Sequence, residues 1–339
     1  MSKVRAAVVG LGYWGPNPAR NFQASDTFEL VGLCDQNAQR LNKLADHYPT
    51  AKRSESIEAL VRDAKPELVA IATPVGSHYA LAKAALDAGC HVLCEKPLAA
   101  TVKEASELVE LAAKKNLKLF VDHTFTYTDA VRKIKELYDS KTLGDLFYID
   151  SVRINLGLFQ PDVDVVWDLA PHDLSILRFV VNKPVKSVQA AGAAHNPRSL
   201  ADVAYVGLDY GDGLIAYLHL SWLSPVKVRR MIFSGTKSSL LFDDIELSEK
   251  IKIYDHGVSF DVSDLETRKQ VLVNYRRGDM RAPALNNREA LGVELKEIAA
   301  ALAGKPATVT VGEDGLEVVK VLEAAQKSLK EDGKRIPIT

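Results

Sequence analysis

Residues 4–15 read VRAAVVGLGYWG, an apolar run of strand length that passes directly into a glycine-rich turn. In such a turn Gly10 permits the tight bend, Gly12 lets the backbone approach a pyrophosphate, and Gly15 allows close helix packing. Free N–H groups at the start of the next helix, together with the helix dipole, favour an anion there. A second apolar run ends at Asp35, 20 residues after Gly15. This combination predicts a dinucleotide-binding turn.

The residue at position 35 bears on which dinucleotide would bind. A carboxylate there accepts hydrogen bonds from a ribose 2′-hydroxyl and repels a 2′-phosphate, so Asp35 favours NAD over NADP. Tyr13 and Trp14 lie inside the turn and are predicted, with its three glycines, to contact the cofactor. Two alternatives stay open on these residues alone: a glycine-rich loop with no ligand, and a different nucleotide such as a methyl donor.

Outward from this stretch, short connections join predicted strands and helices in alternation through about residue 122. Alternation of this kind predicts a parallel sheet with helices on both faces. Further along, alternating runs joined by tight turns predict an antiparallel sheet. We therefore expect an α/β protein with a dinucleotide-binding domain at 1–122 and a substrate-binding and oligomerisation α/β domain at 123–339. Closing helices are predicted at 289–303 and 314–330, and a long loop or arm at 256–287.

Composition limits the classes of protein that fit. The 339 residues suggest two domains, because one core rarely serves a chain of that length. Lys and Arg number 43 against 44 Asp and Glu, which gives a formal charge of −1. That balance argues against a simple electrostatic binder of nucleic acid or of a membrane surface. No apolar run approaches the about 18 residues of a membrane span, and the first residues show no signal peptide.

The three cysteines, Cys34, Cys90 and Cys94, are too few and of the wrong number for a disulfide framework. They indicate a reducing compartment, so we expect a cytoplasmic protein. Cys90 and Cys94 with His91 could suggest a metal site. A buried strand and the lack of another nearby cysteine favour core residues instead, and we predict no metal.

Two loops follow the third and fourth predicted strands of the N-terminal half. In a doubly wound sheet such loops line the ligand crevice, so Thr73, Pro74 and His78 are candidate cofactor contacts. Glu95 and Lys96 end the next strand and open onto the same crevice. A lysine there can hold an alcohol oxygen and stabilise a developing alkoxide. The alternatives are a plain strand-to-helix turn and a surface lysine before a proline turn.

A second candidate motif, WDLAPHD, occupies residues 167–173. Pro171 fits the first turn of a helix predicted over 169–181. Asp168 and His172 are four residues apart, so one helical turn would bring them onto one face. A histidine beside a carboxylate suits proton transfer near neutral pH. Alternatively, Asp168 only caps the helix and His172 packs beneath it.

Cationic side chains supply the remaining candidates. Arg153 and Asn155 alternate on a predicted strand and would share a face, where a guanidinium and an amide suit a sugar or a uronate carboxylate. They are equally compatible with solvent-facing residues on an edge strand. The pairs at 229–230 and 276–277 are two adjacent arginines each, and could meet a diphosphate or simply form solvated surface.

Taken together, the chain resembles the Gfo/Idh/MocA oxidoreductase family. The features that carry the resemblance are GxGxxG at 10–15, Thr73-Pro74 with His78, EKP at 95–97, and Asp168 four residues before His172, in that order. The resemblance implies an N-terminal Rossmann domain and a C-terminal α/β domain with an open, mostly antiparallel sheet. It also implies that Lys96 is the catalytic lysine. Asp168 and His172 would face the substrate and the nicotinamide, with either Lys96 or His172 as the acid-base group.

A nearer resemblance is to the nucleotide-sugar branch, which includes UDP-N-acetylglucosaminuronate 3-dehydrogenases and sugar 3-ketoreductases. It rests on residues 12–17, on 167–173, and on the arginines at 229–230 before Gly-Thr-Lys at 235–237. It implies NAD(P)-dependent hydride transfer at C3 of a nucleotide-linked sugar in polysaccharide biosynthesis. Asp129 and the Glu-Ala-Leu at 289–291 depart from commoner family forms in connecting regions.

Two alternative functions and a homo-oligomeric state are further hypotheses. The protein could instead oxidise a free sugar or a polyol such as inositol, or it could be a non-catalytic NAD-binding sensor. Lys96 and His172 together argue against the sensor, which needs neither. An open sheet with an exposed apolar face is costly, so we expect a homodimer or homotetramer packed through the C-terminal sheet.

Overall fold

The computed structural model describes residues 3–157, 159–160, 163–197, 199–261 and 272–338. The described residues form two compact units. The first unit comprises residues up to 128 together with 288–323, and the second comprises 129–287 together with 324 onwards.

The N-terminal part of the chain alternates strands with helices. Its strands are β1 (Val4–Val9), β2 (Phe28–Cys34), β3 (Lys52–Ser54), β4 (Leu68–Ile71), β5 (His91–Glu95) and β6 (Leu119–Asp122). Its helices are α1 (Pro16–Ala24), α2 (Ala38–Ala45), α3 (Ile57–Ala64), α4 (His78–Asp87) and α5 (Val102–Lys114). The strands pair in parallel in the order β3-β2-β1-β4-β5-β6. This is the Rossmann strand order, in which the order reverses between β1 and β4.

The C-terminal part of the chain carries more strands than helices. Its first elements are α6 (Asp129–Asp139), β7 (Leu146–Leu156), α7 (Val165–Val181), β8 (Ser187–Ala193), β9 (Val203–Asp209) and β10 (Ile215–Ser221). Strands β11 (Leu223–Gly235), β12 (Ser239–Asp243), β13 (Ile251–Tyr254), β14 (Gly257–Asp261), β15 (Leu272–Arg276) and β16 (Met280–Arg281) follow. The last elements are α8 (Ala290–Leu302), α9 (Gly312–Lys330) and β17 (Ile336–Pro337).

The second unit is built on a nine-stranded sheet in the order β16-β13-β12-β11-β7-β10-β9-β8-β17. Every neighbouring pair is antiparallel except β7 with β10, which is parallel. The expected α/β fold, with a parallel N-terminal sheet and a mostly antiparallel C-terminal sheet, is therefore confirmed.

Residues 256–287 contain more regular structure than the expected loop or arm. Strands β14 and β15 pair antiparallel as a separate two-stranded sheet, and β16 extends the nine-stranded sheet. The sequence did not indicate these strands because the segment is polar and lacks an apolar alternation. Part of the expected loop, 262–271, lies outside the described residues.

Helix α8 belongs to the first unit, whereas the sequence analysis placed residues 289–303 in the second domain. Leu295 and Ile298 of α8 are buried in the same apolar cluster as Phe22, Phe28 and Leu30. The apolar side chains of α8 thus complete the core over β2 and α1, which is why the helix packs there. The domain boundary was predicted from the point where strands and helices stop alternating. That signal does not show that a later helix packs against the first unit.

One face of the nine-stranded sheet remains exposed in the single chain. Tyr205 and Tyr217 are 53% and 54% exposed, while the residues that alternate with them on β9 and β10 are buried. Tyr205 stacks on its cross-strand neighbour His219, with ring centroids 4.4 Å apart. Among the described residues, none of the helices has both the length and the apolar character that crossing a membrane requires.

Candidate functional site

The turn after β1 requires glycine at two positions. Gly10 has a φ of 92°, and a Cβ there would lie 2.6 Å from Cγ2 of Thr73. A Cβ on Gly15 would lie 1.8 Å from the carbonyl oxygen of Gly10. Gly15 therefore lets the turn close on itself, rather than chiefly helping α1 pack on a strand. The same contacts bring the turn against Thr73, at the end of β4, as the loop pattern predicted.

The tip of the turn is open. A Cβ on Gly12 would meet only Nη1 of Arg40 within 4 Å, at 3.8 Å. Tyr13 is 96% exposed, and Trp14 is half-buried. Open backbone beside the first turn of α1 is a cradle that fits a pyrophosphate, because unpaired N–H groups point outward at a helix start. The residues present thus fit a dinucleotide, and their contacts with it stay predictions.

Asp35 joins the end of β2 to the glycine turn. Its Oδ2 accepts a hydrogen bond of 2.7 Å from the backbone N–H of Leu11, and its Oδ1 accepts one of 2.8 Å from Asn37. Each carboxylate oxygen keeps a second lone pair, so Asp35 can still accept a ribose hydroxyl. Sequence reasoning missed Arg40, which lies near Gly12. An arginine close to this acidic position is the feature that accommodates a 2′-phosphate.

His78 does not lie on an accessible surface. It is 1% exposed; its Nε2 lies 2.8 Å from the carbonyl oxygen of Thr73, and its Nδ1 lies 2.8 Å from that of Pro97. Burial lowers the pKa of His78. The expectation of a direct cofactor contact is therefore corrected. His78 holds the loops that carry Thr73, Pro74 and the EKP tripeptide, because its ring is enclosed by their main chains.

Lys96 follows β5 directly, at the carboxyl edge of the parallel sheet. Its backbone N–H donates to Oε2 of Glu95 at 3.1 Å, and the Lys96–Pro97 peptide bond is cis. Lys96 is half-buried. This is the edge at which doubly wound sheets bind their ligands. The catalytic role of Lys96 and the cofactor contact of Glu95 stay predictions.

Two polar groups that sequence reasoning missed lie at the same edge. Asp122 ends β6 and is the register partner of Glu95. Its Oδ2 accepts a hydrogen bond of 3.2 Å from the indole N–H of Trp14, and its Oδ1 accepts one of 2.6 Å from the hydroxyl of Thr124. Glu294, from α8, is fully buried, and the charge on Asp122 contributes to raising its pKa. Only the tertiary fold brings a residue from α8 here, so no local motif could have found Glu294.

In the second unit, α7 carries the predicted acid and histidine. It begins at Val165, four residues earlier than expected, because Asp164 caps it and accepts hydrogen bonds of 3.0 Å from the N–H groups of Val166 and Trp167. Asp168 is therefore not the cap. Pro171 lies inside the helix instead of in its first turn.

Asp168 is held by a residue from a different element. Its Oδ2 accepts a hydrogen bond of 3.0 Å from the indole N–H of Trp222, a buried residue between β10 and β11. Asp168 and His172 are both half-buried on α7, and their i,i+4 spacing places them on one helical face. No local sequence pattern indicates Trp222, since it lies 54 residues from Asp168. An oriented carboxylate beside a histidine suits orientation of a substrate and proton transfer.

Arg153 is buried in the structure, on a central strand. Strand β7 lies between β11 and β10, so the edge-strand alternative is wrong. The Nε and Nη2 atoms of Arg153 donate to Oδ1 of Asp173 at 2.8 and 2.6 Å. This ion pair joins β7 to α7 and accounts for the burial of the guanidinium. Asn155, on the same face of β7, is half-buried, and its substrate contact stays a prediction.

The arginine pair at 229–230 is engaged by aspartates. Arg229 pairs with Asp244 at 3.4 Å, and Arg230 pairs with Asp243 at 2.6 Å. Arg277 is exposed. Across the described part of the chain, His, Cys, Asp and Glu form no group of three or more suited to a metal ion. Cys34, Cys90 and Cys94 are buried free thiols.

The two units thus each carry part of the predicted residue set. The glycine turn, Asp35 and Lys96 lie in the first, whereas Asp168, His172 and Asn155 lie in the second.

Models of one known family match residues in both parts of the chain. The NAD-binding Rossmann model of the GFO/IDH/MocA oxidoreductase family matches residues 4–123, and the GFO/IDH/MocA C-terminal domain model matches residues 131–241. The chain belongs to this family of oxidoreductases.

Among curated relatives, UDP-N-acetylglucosamine 3-dehydrogenase of Acidithiobacillus ferrooxidans is 29% identical over 262 residues, which are 76% of this chain and 79% of that protein. Its crystal structure superposes with a TM-score of 0.81 at 25% identity, over 98% of this chain and 100% of the other. The scyllo-inositol 2-dehydrogenase (NADP(+)) of Bacillus subtilis is 25% identical over 347 residues, 97% of this chain and 95% of that one.

A more distant structure shares the fold. The WlbA dehydrogenase from Bordetella pertussis, solved in complex with NADH and UDP-GlcNAcA, has a TM-score of 0.80 at 20% identity. The superposition covers 100% of this chain and 99% of the other.

Proposed function

We propose that this oxidoreductase uses NAD to transfer hydride at a ring carbon of a sugar, and specifically at C3 of a nucleotide-linked sugar. The observation that carries the proposal is the fixed Asp168 carboxylate. The indole N–H of Trp222 donates to Oδ2 of Asp168 at 3.0 Å. Asp168 lies one helical turn before His172 on α7. A binding protein without chemistry has no need of an oriented acid beside a histidine.

In this proposal each residue has one task. Lys96 donates a hydrogen bond from Nζ to the reacting oxygen and stabilises the charge that develops there. His172 takes the hydroxyl proton during oxidation and returns it during reduction. Asp168 accepts a hydrogen bond from the sugar or from His172 and so orients the reacting group. The nicotinamide, when bound, supplies the hydride chemistry.

The preference for NAD over NADP rests on Asp35. Its carboxylate accepts from Leu11 and Asn37 and keeps lone pairs for a ribose 2′-hydroxyl. A 2′-phosphate would approach this anion closely, although Arg40 lies near the same turn. We expect NAD⁺ to bind more tightly than NADP⁺, and Asp35→Ser to narrow that difference. Titration of the wild type and the variant with both cofactors checks this.

The nucleotide-sugar substrate is supported by the 29% identical UDP-N-acetylglucosamine 3-dehydrogenase and by the motif at 167–173. A second candidate, a free sugar or polyol, is supported by the scyllo-inositol dehydrogenase, which aligns over 97% of this chain. The arginines at 229 and 230 already pair with aspartates, so they give no independent support to a diphosphate site.

The decisive assay supplies NAD⁺ with a panel of UDP- and dTDP-linked sugars, the same sugars free, and inositols, and follows NADH formation. We expect turnover with a nucleotide-linked sugar and much less with its free sugar. Turnover only with free polyols would replace the first substrate class by the second. Tight NAD⁺ binding with no turnover on any compound, at several pH values and in both directions, would overturn the enzyme assignment.

We also propose that the protein is a homodimer or homotetramer packed through the nine-stranded sheet. The exposed aromatic residues Tyr205 and Tyr217 project from one face of that sheet, and covering them removes apolar surface from water. Tyr217→Lys should shift the mass measured by light scattering toward the monomer. Tyr13→Lys, which changes a more exposed tyrosine of the first unit, is the control and should leave the mass unchanged.

A further inference from the structure

Three carboxyl groups meet inside the first unit. Glu95 and Asp122 are register partners at the ends of β5 and β6, and neighbouring strands lie about 4.8 Å apart. Glu294 reaches the same place from α8. Asp122 is 4% exposed, and Glu294 is 0% exposed. Buried carboxyl groups this close together cannot all be ionised without a large electrostatic cost.

The hydrogen-bond donors around the cluster are distributed unequally. Asp122 accepts from the indole N–H of Trp14 and from the hydroxyl of Thr124. Within the described residues, no donor reaches either side-chain oxygen of Glu294 or the buried Oε1 of Glu95. A buried carboxylate without donors is unfavourable. These glutamate oxygens therefore lack the donors that an ionised carboxylate needs, whereas Asp122 has two.

The electrostatics of the two glutamates agree with this division. Burial first, and then the charge of Asp122, raises the pKa of both Glu95 and Glu294 well above the ordinary value. In both cases a hydrogen bond with Asp122 adds to the effect. The protonated glutamates can thus donate to the Asp122 oxygens.

Other titratable groups also lie near the three carboxyl groups. His123 is buried, and burial lowers its pKa to about 4, so it is neutral at physiological pH. Asp314 and Lys96 also act on His123, and Lys96 acts on Glu95. The cluster lies next to the loop that carries the predicted catalytic lysine, because Glu95 directly precedes Lys96.

We propose that Glu95, Asp122 and Glu294 share two protons and one negative charge, and that this buried charge makes the protein bind NAD⁺ more tightly than NADH. The oxidised nicotinamide ring is cationic and the reduced ring is neutral, so a fixed anion distinguishes them. The cluster stands at the carboxyl edge of the sheet, where Rossmann folds bind ligands, and Trp14 connects it to the glycine turn. The proposal rests on dinucleotide binding and not on the identity of the sugar.

The protonation states can be read directly in the full-length protein by infrared spectroscopy at neutral pH. A protonated carboxylic acid has a C=O stretching band that an ionised carboxylate lacks. We expect Glu294→Gln and Glu95→Gln each to remove intensity from that band, and Asp122→Asn to remove none. If both glutamine variants kept the full intensity of this band, the shared-proton assignment would be overturned.

The cofactor preference is tested by calorimetric titration of the same proteins with NAD⁺, NADH and ADP-ribose. Asp122→Asn should lower the ratio of NAD⁺ affinity to NADH affinity on the order of tenfold, with ADP-ribose affinity unchanged. Glu294→Gln replaces one neutral group by another and should leave the ratio within about twofold. Thr124→Val, which removes a donor to Asp122, should lower the ratio in the same direction and serves if Asp122→Asn does not fold.

An unchanged ratio in a folded Asp122→Asn or Thr124→Val protein would overturn the role in cofactor preference. A wild-type protein that binds neither NAD⁺ nor NADH would overturn the cofactor assignment itself, and with it this proposal. Failure of every sugar substrate, alongside normal cofactor binding, would affect only the proposed function.

Discussion

The imidazole of His78 joins two loops of the Rossmann unit: its Nδ1 lies 2.8 Å from the carbonyl oxygen of Pro97, and its Nε2 lies 2.8 Å from that of Thr73. The loop beside Gly10 and the loop that carries Lys96 therefore share one buried support. A small displacement of such a support moves both loops at once, and catalytic geometry is sensitive to shifts of this kind.

For His78→Ala we expect a loss of about 2 kcal/mol in the free energy of unfolding, because the buried carbonyl group that accepts from the neutral imidazole loses its donor. The kcat of the folded variant should also fall, since both loops relax. Denaturant unfolding and kcat measure the two effects. The control is His47→Ala, an exposed histidine, which should change stability by less than about 0.5 kcal/mol. Equal effects of the two variants would contradict a supporting role.

Gly10→Ala should weaken NAD⁺ binding strongly and destabilise the fold by about 2 kcal/mol. The new Cβ would lie 2.6 Å from Thr73 Cγ2 at a φ of 92°, so the turn must deform. Gly76→Ala is the matched control, because nothing lies within 4 Å of its Cβ position. Cofactor titration of both variants distinguishes the tight turn from general sensitivity of the loops.

Lys96→Ala should lower kcat by a factor on the order of 100 or more, because it removes the group assigned to stabilise charge on the reacting oxygen. NAD⁺ affinity should be nearly unchanged. Lys103→Ala, which changes an exposed lysine at the second position of α5, serves as the control. A parallel loss of turnover and of cofactor affinity in Lys96→Ala would show a binding role instead.

Trp222→Phe removes the indole N–H that donates to Asp168 and keeps an aromatic ring in place. We expect kcat to fall about tenfold, the value of one positioned hydrogen bond. The double variant with Asp168→Asn should lose less than the sum of the two single losses, because both changes act on one interaction. Additive losses would show that Trp222 acts independently of Asp168.

Glu294→Gln should change how stability depends on pH. The pKa of Glu294 is raised above 4.5 in the folded protein, so above the unfolded pKa only the folded state keeps the proton. The wild type should therefore lose stability as pH rises through this window, by up to about 1.4 kcal/mol per pH unit from this one group. The variant has no such proton and should lose less. Unfolding curves between about pH 5 and pH 8 measure the difference.

The sequence indicated the Rossmann unit well because its signals are local. Strand β4 is buried throughout, and the glycine turn, Asp35 and Lys96 each follow a buried strand. The helix start at Asp164 was missed because the apolar residues Val165 to Trp167 follow it without a polar alternation that marks an amphipathic face. Local pattern thus located strand ends more reliably than this buried helix.

Contacts between distant parts of the chain could not be predicted. His78 looked like a cofactor contact because it follows Thr73-Pro74, and only its burial between two carbonyl groups corrects that view. Arg153 looked available to a substrate, whereas Asp173 engages it. Trp222 and Glu294 carry no motif, and their relation to Asp168 and Asp122 depends on the tertiary fold.

The return of α8 to the first unit also affects synthesis of the protein. Leu295 and Ile298 fill the core beside Phe22 and Phe28, and the backbone N–H of Thr310 donates a hydrogen bond to Oη of Tyr127. On the ribosome, the N-terminal unit therefore cannot finish its core until nearly the whole chain has emerged. Part of the apolar core around its early strands therefore stays uncovered while the second unit is synthesised. A gene fragment that stops at residue 128 should accordingly yield an incompletely folded, aggregation-prone product.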